Sequence, residues 1–82
     1  EQAKVVKKIL SGSKNIRFAD MQELIKGFGF TLSRTKGSHH IFVHPEIPEI
    51  VNLQNVKGEA KPYQIRQFLK LVEKYNLQLE DK

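Results

Sequence analysis

The apolar positions of this chain recur at helical spacing, then at strand spacing, then at helical spacing again. In residues 2–10, Val5, Val6, Ile9 and Leu10 gather near one helical face with lysines opposite, and Ser11-Gly12-Ser13 stops that short helix. Met21, Leu24, Ile25 and Phe28 fall at i, i+3, i+4 and i+7, with Phe18 one turn earlier. That spacing predicts an amphipathic helix, which Gly27 and Gly29 end. From Phe30 the period drops to two. Phe30 and Leu32 alternate with Thr31, Ser33 and Thr35, and Lys36-Gly37-Ser38 reads as a turn. "HHIFVH" is rich in β-branched and aromatic residues, and "IVNLQN" alternates Val51 and Leu53 with Asn52 and Gln54. Pro45 and Pro48 separate these two strands, because proline gives a ladder no donor. Pro62 suits a first helical turn, and Ile65, Phe68, Leu69 and Val72 mark a last amphipathic helix ending near Asn76.

The predicted order is helix, helix, three strands, helix. It describes an α+β fold, a three-stranded antiparallel meander with helices packed on one face (α-β-β-β-α), preceded by a helical extension over residues 1–14. Residues 15–82 form the main domain. A sheet of this kind leaves its other face open. Alternation assigns Leu32, Ile41, Val43, Val51 and Leu53 to the helix side. It assigns Thr31, Ser33, His40, Phe42, His44, Asn52 and Gln54 to water. A polar face with one aromatic suits a nucleic acid, and a merely solvated face fits the same pattern.

Composition narrows the partners more than the fold. Eighty-two residues make one domain with a modest core. Fourteen Lys and Arg against nine Asp and Glu leave a net charge of +5. That excess favours a polyanion, since each phosphate contact releases counterions, although a basic surface also serves plain solubility. The absence of cysteine excludes a disulfide framework and a thiolate metal site, and is compatible with a reducing cytoplasm. No apolar run approaches the roughly 20 residues of a membrane span. "KVVKKIL" is too short and too charged for the core of a signal peptide.

All three histidines, His39, His40 and His44, fall in one predicted strand. Metal binding is the first chemistry they suggest, and spacing argues against it. His40 and His44 are four positions apart on the strand, about 13 Å at ~3.3 Å per residue. His39 and His40 point to opposite faces, and no Asp or Glu lies in the strand to complete a site. No metal and no small-molecule cofactor is expected. Acid–base chemistry fits better, since imidazole exchanges protons near neutral pH. An RNA ribose 2′-hydroxyl is a natural target, attacking its own phosphate once deprotonated. Arg34, Lys36, Gly37 and Ser38 precede the histidines, and a glycine turn can offer backbone N–H groups to an anion. A Lys-Gly-Ser turn before a histidine is also an ordinary hairpin.

The stretch "LIKGFGFTLSRTKGSHHIFVHP" resembles the signature of HicA toxins, the mRNA interferases of HicA–HicB toxin–antitoxin pairs. The likeness rests on Gly29-Phe30, Gly37-Ser38-His39, His44-Pro45, "IVNLQ", Lys57-Gly58, Lys61-Pro62 and Arg66, in the family's order over about residues 18–76. It implies a fold similar to the double-stranded-RNA-binding domain, and metal- and ribosome-independent cleavage of mRNA in the cytoplasm. It also implies neutralisation by a HicB-like antitoxin. The histidine after Gly-Ser, here His39, would be catalytic, with His40 as runner-up. Arg34, Lys36, Gly37, Ser38, Lys57, Lys61 and Arg66 would contact RNA. The chain departs from the family at "LQN" (residues 53–55), where a Val-Pro-His type segment is common. It departs also in the extension over 1–14 and the longer spacer Glu46–Glu49.

The residues leave three classes of function open. The first is an RNA endonuclease dependent on His39. The second is an RNA-binding module whose salt-sensitive affinity survives loss of that ring. The third is a protein-interaction domain that docks a partner strand on an exposed sheet edge.

Overall fold

The computed structural model of the chain describes residues 16–80. The expected helix over residues 1–14 lies outside the described residues. Helix α1 spans Phe18–Gly27, followed by strands β1 (Thr31–Lys36), β2 (His39–Val43), β3 (Val51–Val56) and β4 (Glu59–Ala60), and then helix α2 (Pro62–Tyr75). The strands form one antiparallel sheet in sequential order. The result is an α+β fold with the order α-β-β-β-β-α, similar to a double-stranded-RNA-binding domain with one extra short strand.

The sheet has four strands where the sequence pattern predicts three. Lys57 (φ 53°) and Gly58 both take positive φ and reverse the chain, so Glu59 and Ala60 pair with Val56 and Asn55. Lysine is rare in that conformation, which hides the hairpin from a reading that seeks Asn-Gly or Asp-Gly. Asn55 supports the turn by accepting the Gly58 N–H on Oδ1 at 2.8 Å. The same hairpin anchors α1. The Phe18 N–H donates to the Gly58 carbonyl and the Ala60 N–H to the Ile16 carbonyl.

Both helices begin without a side-chain cap. Asp20 in the first turn of α1 and Lys26 in its last complement the helix dipole. Pro62 opens α2, where a missing N–H costs nothing, and Asn76 closes it in the left-handed conformation. Phe18, Met21, Leu24 and Ile25 of α1 and Ile65 and Phe68 of α2 share one core with Phe42, Val51 and Leu53 of the sheet. Ile16, Phe30, Ile47 and Ala60 complete it from loops and the short strand. At about 1.5–3 kcal/mol for each large apolar side chain fully buried, this cluster is the main stabilising term. A surface tether joins the loop before β3 to the end of α2. Glu49 accepts from Lys74 Nζ at 2.8 Å and from the Tyr75 hydroxyl. These two bonds hold its carboxyl below the ordinary range.

One face assignment is reversed. Phe42 is completely buried, and Val51 and Leu53, cross-strand partners of Phe42 and His40, are buried with it. β2 therefore turns His40 and Phe42 toward the helices, and His39, Ile41 and Val43 toward the open face. The expected assignment was the opposite. Both parities of "HHIFVH" carry apolar residues, so alternation alone could not choose. Aromatic packing decides it: the His40 ring lies 4.6 Å from that of Phe18, and the His44 ring 5.0 Å from that of Phe30. β3 follows the pattern, with Val51 and Leu53 inside and Asn52 exposed. Leu32 pairs with Phe42 on the helix side but stays 42% exposed at the sheet edge.

Candidate active site

The site is built on the β1–β2 hairpin. Lys36 pairs with His39 across a two-residue turn, Gly37-Ser38. Gly37 has φ 59°, as the first position of a type II′ turn requires, and a Cβ there would meet nothing within 4 Å. Glycine is demanded by the backbone conformation rather than by crowding. The turn is stitched to β3. The Asn55 N–H donates to the Ser38 carbonyl at 2.9 Å, and Gln54 Nε2 donates to Ser38 Oγ at 3.3 Å.

A β-bulge decides which cations reach this face. The β1–β2 register slips between Leu32 and Arg34, so Leu32 pairs with inward Phe42 while Arg34 pairs with outward Ile41. Without the extra residue, Leu32 and Arg34 would share a side. With it, Arg34 and Lys36 stand on the open face, Lys36 directly across from His39. All of β1 is exposed.

His39 is half-buried and faces outward, opposite Gln54. Asn52 lies two residues along β3 on the same face, a diagonal neighbour. Asn52 Oδ1 sits 3.0 Å from His39 Nδ1. A carbonyl oxygen only accepts, so Nδ1 carries the proton, and in the neutral ring Nε2 keeps its lone pair. Among the described residues Nε2 has no hydrogen-bond partner.

The other two histidines are engaged elsewhere. His40 donates from Nδ1 to the Ser38 carbonyl at 3.2 Å and packs on Phe18. His44 accepts the Glu46 N–H on Nδ1 at 3.1 Å and packs on Phe30. No group of three or more His, Asp or Glu among the described residues is placed to hold a metal ion.

Arg34, Lys36, Gly37, Ser38 and His39 thus form one outward patch. Lys57 lies at the tip of the β3–β4 turn, at the same end of the sheet as Gly37-Ser38, because Asn55 bonds Ser38. Lys61 follows β4 at the head of α2, with Nζ 5.9 Å from the centre of the Tyr63 ring. Arg66 is exposed on α2, in the helix layer on the far side of the sheet from His39. Phe42 is unavailable for base stacking, since it is buried in the core. Asn52 and Gln54 are the site residues sequence reasoning did not connect to His39. The signal available was positional: once Lys36 and His39 flank a two-residue turn, the next antiparallel strand must set polar β3 residues beside the ring.

No helix among the described residues is long and apolar enough to cross a membrane. None of the curated proteins and none of the solved structures matches the chain. A family model, HicA toxin of bacterial toxin–antitoxin, matches residues 18–73, from the start of α1 nearly to the end of α2. The match covers more than half of the chain and every strand of the sheet, and so the chain belongs to the HicA toxin family, one side of a toxin–antitoxin pair whose other side is an antitoxin.

Proposed function

We propose that this toxin is a metal-independent endoribonuclease acting on mRNA in the cytoplasm, with His39 as its general base. The observation that carries this reading is the outward position of His39, with one ring nitrogen held by Asn52 and the other open to a substrate, beside Arg34 and Lys36. His40 and His44 pack on core phenylalanines instead of standing beside Arg34 and Lys36.

The reaction needs no external oxidant or cofactor. His39 Nε2 takes the proton of a ribose 2′-hydroxyl. The 2′ oxygen attacks the adjacent phosphorus, an O–P bond forms, and the bond from phosphorus to the 5′ oxygen breaks. Water protonates the departing oxygen. Lys36, Arg34 and the backbone N–H groups of Gly37 and Ser38 offset the charge that grows on the phosphate. Lys57 and Lys61 extend the basic track past the second hairpin, and Arg66 adds charge from the helix layer. A HicB-like antitoxin neutralises the enzyme.

The experiment is cleavage of RNA by purified protein in EDTA, beside His39→Ala. A positioned base contributes about 10²–10⁴-fold, so the variant is expected to lose at least about 100-fold in rate while keeping its fold by circular dichroism. Equal cleavage by both proteins, or intact RNA with the unsubstituted protein, overturns the assignment.

A further inference from the structure

We infer that Asn52 is a positioning residue that fixes the tautomer of His39, so that Nε2 is the nitrogen presented to RNA. The mechanistic consequence rests on the nuclease reading above; the ring geometry does not.

Neutral imidazole has two tautomers, and only the one protonated on Nδ1 has a basic Nε2. Free in solution, a histidine ring favours the form protonated on Nε2, whose lone pair lies on the nitrogen nearer the backbone. Here that nitrogen is turned to Asn52 Oδ1 at 3.0 Å. The register makes the contact reproducible. His39 faces Gln54, Ile41 faces Asn52, and the diagonal between His39 and Asn52 falls within reach of both side chains. Gln54, the direct cross-strand neighbour, is committed to Ser38 Oγ and leaves the ring to Asn52. The charged groups facing His39 are cationic: Lys36 across β1, with Arg34 further along the same strand. β3 contributes only the amides of Asn52 and Gln54. A neutral acceptor orients the ring without adding a negative charge beside it.

The test uses ¹⁵N-labelled protein and long-range ¹H–¹⁵N correlation spectra of the His39 ring across pH, with Asn52→Ala and Asn52→Asp. Asn52 is exposed, and unfolding midpoints check that the variants stay folded. In the unsubstituted protein, the neutral ring is expected mainly as the Nδ1–H form. In Asn52→Ala it shifts toward the Nε2–H form, and kcat falls on the order of 10-fold with KM little changed. Asn52→Asp restores the Nδ1–H form and moves both the ring titration and the acid limb of the rate profile to higher pH, since a carboxylate favours imidazolium. A neutral His39 mainly in the Nε2–H form, or one unaltered by Asn52→Ala, overturns the inference. The expected tautomers in a protein that cleaves no RNA overturn the nuclease reading and leave the ring geometry standing.

Discussion

The three histidines differ less in position than in what Nδ1 does. In His39 it donates to a side chain, in His40 it donates to the backbone carbonyl of Ser38, and in His44 it accepts from the Glu46 N–H. The last arrangement turns the proton-bearing Nε2 of His44 toward Gly29, where a Cβ would lie 2.8 Å from it. Gly29 also has φ 98°, a conformation L side chains rarely adopt. Gly29→Ala is therefore expected to cost about 1–3 kcal/mol, read from urea unfolding midpoints. An unchanged midpoint would mean that the α1–β1 turn and the His44 ring move aside freely. The sequence shows why the histidines cluster only in part. Gly37-Ser38-His39 is legible as a turn, and the resemblance makes the ring that follows it the candidate base. The tasks of His40 and His44 are not legible, because they depend on Phe18 and Phe30, which reach β2 only in three dimensions.

Among the elements, β2 carries the main departure from the pattern. Among the described residues, periodicity places the two helices, the three longer strands and the proline-bounded loop correctly, because each has a clear spacing or a residue that forbids the alternative. It fails on the faces of β2, where Ile41 and Val43 compete with Phe42. It also misses the bulge near Ser33, the device that carries Arg34 and Lys36 to the open face. A bulge leaves no mark in an exposed polar strand, where no buried face fixes the register. β4 is missed for the related reason that its turn uses lysine at positive φ. Gln64 was likewise unreadable. It is a buried polar residue in an apolar stripe, and its Oε1 accepts the Gln54 N–H at 2.9 Å where β3 has no neighbouring strand. The face assignment has a direct check. Phe42→Ala is expected to destabilise by about 3–5 kcal/mol, and Ile41→Ala by about 1 kcal/mol, compared by denaturant unfolding. The reverse ranking would contradict the orientation of β2.

At the scale of the molecule, the fold sorts its work into two sides. Helices and buried aromatics occupy one side of the sheet, and stability resides there. The open side carries the hairpin, its cations and the ring, and has few apolar contacts to lose when residues change. That division lets a small basic domain carry the candidate site without weakening its core. It also explains the position of Arg66, which shares the helix layer and not the His39 patch. In the proposed reaction His39 moves the proton of a ribose 2′-hydroxyl. The most direct measurement uses an RNA oligonucleotide that the protein cleaves, resynthesised with a single 2′-deoxy sugar on the 5′ side of the cleaved phosphate. Cleavage at that bond is expected to stop while neighbouring sites remain susceptible. Continued cleavage at the deoxy position would contradict it.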